Sequence, residues 1–315
     1  MLSFRKNKQI YRIVGVLIFV YILFSIDLNA ILHTLYHANL KYILLASLLI
    51  IVVTILKSLR WQLLLRVQGI DYSLRDCFIM YYIALYIGTV TPGRVGEFTK
   101  VLFLKKDGHS MSKSMFSVFM DRIFDIVLLS VASFVSIFAF ITFFDNIDIF
   151  SLIINLLLIF AILFILINKM FILSIIKFAH VIPYFKKYAE FLEKQMIEFI
   201  QEFEKLNLHN IVLTFVITII AWIIYYVLVY SLALAIDIKI SFLYLIACIS
   251  FSAIITLLPI SISGIGTRDA ILIFLFSKVG LSGESAVAFS IMILGVYVFN
   301  GVIGFFAWMK YPIEL

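Results

Sequence analysis

Two short stretches of the chain carry residues whose types and spacing invite a chemical reading. Pro92, Gly93, Arg94, Gly96 and Glu97 form one; Pro259, Gly264, Gly266, Arg268 and Asp269 form the other. Each combines a residue with no backbone donor, two that tolerate unusual dihedrals, a guanidinium and a carboxylate, which is a recipe for a broken helix with charges at the break. A broken helix exposes N–H groups whose partial positive charge favours an anion such as a phosphate. Arg94 and Arg268 add bidentate contacts to the same oxyanion. Glu97 and Asp269 can then pair with those arginines, take a proton, or meet a cationic headgroup. The competing reading makes both breaks ordinary loops whose charges are solvated.

A third cluster, Asp121-Arg122-Ile123-Phe124-Asp125, lies inside an apolar run. Asp121 and Asp125 are four apart and share a helical face, and Arg122 can reach Asp125 at three. Two readings stand side by side: the charges face a cavity or one another, or they snorkel to an interface near Lys113. Asn300, in the last apolar run, reads as an interhelical hydrogen bond. His33 and His37 are four apart with no carboxylate or cysteine completing a metal set, so they read as a wet loop. Cys77 and Cys248 are far apart in apolar surroundings and imply neither disulfide nor zinc. No G-x-x-x-x-G-K-[ST] loop is present, which argues against direct ATP drive, and no cofactor is expected.

The elements that position these residues are dictated by hydropathy. Of the 315 residues 64% are hydrophobic and 14% charged, with 32 Phe, and the mean hydropathy is +1.15; a soluble domain is roughly 45–50% apolar. The net charge of +7 would suggest nucleic acid in a soluble protein, but Lys and Arg sit in short segments between apolar runs, so they read as topology signals. Those runs cover about 10–26, 42–56, 78–92, 114–144, 149–168, 210–236, 242–275 and 286–309, most long enough for the about 20 residues that a helical span needs. They are continuous rather than alternating, so helices rather than a barrel are expected.

The cluster Arg5, Lys6, Lys8 and Arg12 places the start in the cytoplasm and lacks a following cleavage site, so the first run reads as an uncleaved helix. Lys57, Arg60, Arg66 and Arg75 then fall inside. A full crossing at 78–92 would place Arg94, Lys100, Lys105, Lys106 and Lys113 outside, against the rule. The conflict vanishes if 78–106 dips in and returns on the same side. The same logic makes 242–280 a second dip, entered from outside. The expected fold class is all-α: a polytopic transmembrane helix bundle of about six full spans plus two re-entrant hairpins, an inverted repeat with halves near 1–145 and 149–310 in a single domain, 1–315. Hydropathy alone would count about seven or eight helices. Both termini fall on the cytoplasmic side of the cell membrane. Between 184 and 206, Phe185, Tyr188, Leu192, Met196, Phe199, Phe203 and Leu206 step by three and four opposite Lys and Glu, predicting an amphipathic helix lying on the membrane or packed on the bundle.

At these residues the sequence resembles the flippase-like integral membrane family that includes the membrane region of lysylphosphatidylglycerol synthase, the bacterial multiple peptide resistance factor. The resemblance runs from about Arg60 to Trp308. It is carried by Pro92-Gly93-Arg94-Val95-Gly96-Glu97, by Asp121-Arg122-Ile123-Phe124-Asp125, and by Gly264-Ile265-Gly266-Thr267-Arg268-Asp269-Ala270, in that order and spacing. The family favours Glu where this chain has Asp121 and Asp269, and often Arg where it has Lys100. The synthase's cytosolic aminoacyl-transferase domain has no counterpart in these residues, so its activity is not implied.

What the resemblance implies is movement of a lipid between leaflets, without catalysis. The expected partner is a membrane lipid with an anionic headgroup, a phospholipid or a polyprenyl-phosphate-linked lipid, with no nucleic acid. Paired Gly/Pro breaks in inverted halves point the same way, to a transporter with a midplane site. The rival readings are a membrane enzyme on lipid-linked substrates with Glu97, Asp121 or Asp269 as base, and an accessory subunit that partners an envelope-synthesis enzyme.

Overall fold

The computed structural model describes residues 21–22, 24–91, 93–139, 189–256 and 261–312. The described residues form an all-helical protein: α1 Leu28–Tyr36, α2 Leu40–Val67, α3 Leu74–Thr89, a 3₁₀ turn at Val95–Thr99, α4 Lys100–Lys106, α5 Met111–Ala139, α6 Ala189–Glu204, α7 Leu208–Ala235, α8 Phe242–Thr256, α9 Thr267–Ser277 and α10 Gly283–Lys310. The first and fifth expected spans fall largely outside the described residues, as do Phe185 and Tyr188.

Polar side chains fix where the helices start. Asn39 accepts from the Lys41 amide, Ser73 from Asp76, Asn207 from Asn210 and Ser282 from Ser285, each satisfying an amide that the helix leaves unpaired. The short α1 is capped likewise by Asp27, which accepts from Asn29 and Ala30. This places His33 on an exposed helix rather than in a loop, with His37 in the exposed turn that ends it.

Helices α2, α7 and α10 are long and apolar enough to cross a membrane. Leu44, Leu48, Val52 and Ile55 on α2, and Val212, Val216, Ile220, Ile223 and Val227 on α7, are exposed. The stripes step by four, four and three on α2 and by four, four, three and four on α7, the signature of one helical face. Exposed apolar stripes of this length suit lipid rather than water. Inside, the pattern reverses, and Thr54, Ser58, Arg60 and Gln62 of α2 are buried. Helix α5 has 29 residues, about 43 Å at 1.5 Å per residue, and carries Asp121, Arg122 and Asp125 near its middle.

Helices α3 and α8 are different. Helix α3 has 16 residues, about 24 Å, short of a hydrocarbon core of about 30 Å, and α8 is described over 15 residues as far as Thr256. Each is followed by a break and a shorter helix folded back on it. After α3 the chain passes through Gly93 and Arg94, both left-handed (φ 58° and 55°), into the 3₁₀ turn. A Cβ on Gly96 would lie 2.5 Å from the Ile87 carbonyl, and one on Gly88 would lie 2.8 Å from Glu97 Cγ. The returning strand of chain therefore touches the helix it has just left, and only glycine allows so close an approach. Thr91 holds the reversal, its Oγ1 donating to the Ile87 carbonyl and accepting from the Gly96 amide. After α8, Ser263, Gly264 and Gly266 take positive φ, and a Cβ on Gly264 would lie 2.8 Å from Thr256 Cγ2.

Two series of elements correspond in order. Helices α2 and α7 both have 28 residues, and each is followed by a shorter helix, α3 or α8, then by a short returning helix, α4 or α9, and then by a long one, α5 or α10. Their packing also corresponds: α2 lies along α7, while α3 packs on α10 and α8 packs on α5. Each broken hairpin is thus clasped by the long helix that closes the other series. The tips of the two breaks meet where Ser263 Oγ donates to the Thr89 carbonyl at 2.6 Å.

Helix α6 packs on the start of α5, with Phe199 and Phe203 edge-on to Phe116 and Ser112 Oγ bonded to Gln195. Of the two placements expected for an amphipathic helix here, the structure has the one packed on the bundle.

Candidate functional site: a cavity between two broken hairpins

The Asp121 to Asp125 cluster faces inward. Asp121 is wholly buried and Asp125 nearly so, and both grip Arg60 of α2. Arg60 Nε donates to Asp121 Oδ1 at 2.9 Å and Nη1 to Asp125 Oδ1 at 2.7 Å, with a further bond from Nη2 to the Asp121 carbonyl. Lys100 of α4 reaches Asp121 at 2.7 Å, and Lys57 of α2 reaches Asp125 at 3.0 Å. The remaining lone pairs take Tyr81 Oη at 3.2 Å and Trp222 Nε1 at 2.8 Å. Five elements, α2, α3, α4, α5 and α7, are joined by one ionic knot. Buried charges survive only when paired and fully hydrogen-bonded, and these are.

Several expected pairings are corrected here. Arg122 does not reach Asp125; it turns to Glu97 and forms an ion pair with it. Glu97 therefore does not pair with Arg94. Asp269 does not pair with Arg268 but accepts from the Gly266 amide at 2.7 Å, closing the first turn of α9. The positions read as loop charges, Lys57, Arg60 and Lys100, lie on helices at buried or nearly buried sites. Hydropathy counts charge without knowing where a helix ends, and α2 runs on to Val67. Arg66, Arg75, Lys105 and Lys106 are exposed, as loop-flanking charges should be. Snorkelling does not apply to Asp121 or Asp125, and Glu97, Arg268 and Asp269 are buried, so the two breaks are not solvated loops.

The arginines of the two breaks converge on one residue. Arg94 Cζ lies 4.5 Å from the Tyr297 ring centroid and Arg268 Cζ lies 5.7 Å from it, both within cation–π range. Tyr297 Oη bonds Tyr225 Oη at 2.7 Å. Arg268 is held by Ser290, through Nε to Oγ at 2.6 Å and Nη2 to the carbonyl at 3.0 Å. Among the described residues neither arginine has a carboxylate within ion-pair distance. That contrasts with Arg60, Lys57, Lys100 and Arg122, all of which do.

These groups border a cavity of about 110 Å³; by the same measure a water needs about 10–15 Å³, so a headgroup-sized polar species fits. Lys57, Asp125, Glu97 and Arg122 line one part, and Arg94, Tyr225, Tyr297, Asn300 and Ser263 another. A smaller hollow continues from Arg94 past Gly93 and Gly264 to Arg268. Pro92 and Pro259 lie outside the described residues. Asn300 lines the cavity, and its Oδ1 is buried without a hydrogen-bond partner.

The residues that the sequence did not single out are Lys57, Arg60, Tyr81, Trp222, Tyr225 and Tyr297. Tyr297 and Asn300, three apart on one helical face of an otherwise apolar run, were the available signal. Among the described residues no group of three or more His, Cys, Asp and Glu could hold a metal ion. Cys77 and Cys248 are buried free thiols.

Fold and site together define a polytopic helical membrane protein whose interior polar cavity is framed by two broken hairpins. The chain belongs to the family described as the lysylphosphatidylglycerol synthase TM region, whose profile matches residues 12–304. A UPF0104 membrane protein of Methanocaldococcus jannaschii is 25% identical over 320 residues, covering 96% of this chain and 94% of that protein. A second UPF0104 membrane protein, from Pyrococcus horikoshii, is 28% identical over 125 residues, 38% of this chain and 37% of that protein.

Proposed function

We propose that the protein is a lipid translocase that moves an anionic lipid, a phospholipid or a polyprenyl-phosphate-linked lipid, between the leaflets of the cell membrane. The observation that carries this reading is the convergence of Arg94, at the cavity, and Arg268, at the hollow that adjoins it, on Tyr297, both without a carboxylate partner among the described residues. An arginine without a counter-charge inside a membrane bundle is costly, even one whose N–H groups are bonded as those of Arg268 are. A phosphate arriving between two of them relieves that cost and leaves its own water behind. The acyl or prenyl chains stay in hydrocarbon while the headgroup uses the polar path.

The correspondence of α2–α5 with α7–α10, with exchanged packing partners, supports an inverted repeat, with one hairpin opening to each face and both termini cytoplasmic. In such folds the two halves rock about a site at their interface. A membrane enzyme is the weaker reading, because its carboxylate candidates are engaged: Asp121 by Arg60 and Lys100, Glu97 by Arg122, and Asp269 by the Gly266 amide.

The test is flux in proteoliposomes carrying fluorescent phosphatidylglycerol, read by accessibility to an added quencher. Wild type is expected to expose the inner-leaflet label. Arg94→Ala with Arg268→Ala is expected to slow this at least tenfold. Equal flux in the double variant, or none in wild type with any phospholipid or polyprenyl phosphate, refutes the proposal.

A further inference from the structure

We infer that Glu97 is a proton-coupling site, which takes up a proton as the anionic lipid enters the cavity, so that the protein carries proton and lipid together. This rests on the translocase reading and adds a second ligand, the proton, to the same cavity. Glu97 is 1% exposed in the 3₁₀ turn of the first hairpin and lines the cavity. Its tie to the bundle is the ion pair with Arg122, and neither of its oxygens, nor Arg122 Nε, has a hydrogen bond among the described residues. The neighbouring carboxylates are tied differently. Asp125 is held by Lys57, Arg60 and Trp222, and Asp121 by Arg60, Lys100 and Tyr81. Of these three acids, Glu97 alone loses its counter-charge when a single side chain turns away.

Arg122 lines the same cavity, so a phosphate entering beside Arg94 competes with Glu97 for it and sets a second negative charge nearby. Both effects disfavour the ionised carboxylate, because a buried charge is tolerated only when paired and because like charges repel. The proton settles on a Glu97 oxygen that no donor occupies. The other titratable groups facing the cavity are committed. Lys57 of α2 is bound to Asp125 of α5, Tyr81 of α3 donates to Asp121, Tyr225 of α7 and Tyr297 of α10 are bonded to each other, and Lys100 of α4 is turned to Asp121. Arg94 and Arg122 stay protonated throughout. A phosphodiester and a proton together carry no net charge, so the membrane potential does not oppose their crossing. By linkage the lipid binds more tightly when protons are abundant, and a proton gradient moves the lipid in the proton's own direction.

The experiment is binding of short-chain phosphatidylglycerol to the purified full chain in detergent, in weak buffer near neutral pH, with an indicator dye reading proton uptake. Wild type is expected to take up about one proton per lipid bound, and its affinity to fall as pH rises, approaching about tenfold per unit. Glu97→Gln, which cannot be charged, is expected to bind the lipid with no proton uptake and with an affinity that no longer follows pH. Should the glutamine protein fail to fold, wild-type proteoliposomes give a second reading: an acid exterior is expected to draw labelled phosphatidylglycerol into the inner leaflet, toward an inner-to-outer ratio of about ten for a pH difference of about one unit. Lipid bound by wild type without proton uptake, uptake that persists in Glu97→Gln, or a leaflet ratio indifferent to the pH difference while the label crosses, overturns the inference and leaves the translocase reading intact. Wild type that neither binds nor moves the phospholipids and polyprenyl phosphates of the translocase test overturns that reading, and the inference falls with it.

Discussion

Replacing Asp125 by asparagine keeps the shape of the ionic knot and removes one charge. In the wild type, Lys57, Arg60 and Lys100 face Asp121 and Asp125, an excess of one positive charge. Asp125→Asn raises that excess to two and weakens every contact the carboxylate accepts, from Lys57, both Arg60 terminal nitrogens and Trp222. Removing one partner of a buried pair costs about 3–5 kcal/mol. Lys57→Met removes one contact, and Asp125 keeps Arg60 and Trp222, so about 1–3 kcal/mol is expected. Combined, the two changes restore an excess of one. The double variant should be more stable than the sum of the singles predicts, by at least about 1 kcal/mol, because contacting sites couple. Thermal unfolding of the detergent-purified protein, followed by the loss of the monodisperse peak, measures all four corners of this cycle. Additivity within about 0.5 kcal/mol, or an Asp125→Asn protein as stable as wild type, would refute the reasoning that charge balance holds the knot.

Gly96→Ala should destabilise the first hairpin by about 1–3 kcal/mol and slow lipid movement, since its methyl meets the Ile87 carbonyl in a packed turn; flux and melting temperature are the readouts. Tyr297→Phe should retain more flux than Tyr297→Leu, because the ring faces both arginines and each cation–π contact contributes about 0.5–2 kcal/mol. Phe116→Ala, at a wholly buried site against α6, should cost about 3–5 kcal/mol of stability and leave lipid selectivity unchanged in the folded fraction.

The helical breaks were legible because Pro and Gly mark themselves. The chain reversals at Gly93 to Gly96 and at Ser263 to Gly266 need left-handed dihedrals and close backbone approach, and glycine announces both. The pairing of the breaks was visible too, because each holds one arginine and one acid. What the arginines would meet was not. Tyr225 and Tyr297 sit in runs whose other residues are nearly all apolar, where an aromatic residue ordinarily faces lipid or core. Arg60 and Lys57 were legible as charges but not as buried ones. Their carboxylates come from a helix some sixty residues away in sequence, and short-range spacing carries no trace of that contact. Glu97 and Arg122, by contrast, were both noticed as charges and assigned to the wrong neighbours. Sequence proximity favours Arg94 and Asp125, while the fold brings the 3₁₀ turn against α5.

In the proposed translocase an anionic headgroup occupies the cavity between the hairpins, held by Arg94 and Arg268. Its most direct test is photo-crosslinking in liposomes with a phosphatidylglycerol analogue bearing a diazirine on the headgroup, followed by peptide mapping. Adducts are expected on Arg94 to Glu97 and on the Tyr297 to Asn300 turn, lost in the Arg94→Ala, Arg268→Ala protein. Adducts confined to helix ends and to the outward stripes at Leu44 to Ile55 and Val212 to Val227, unchanged by those substitutions, would contradict it.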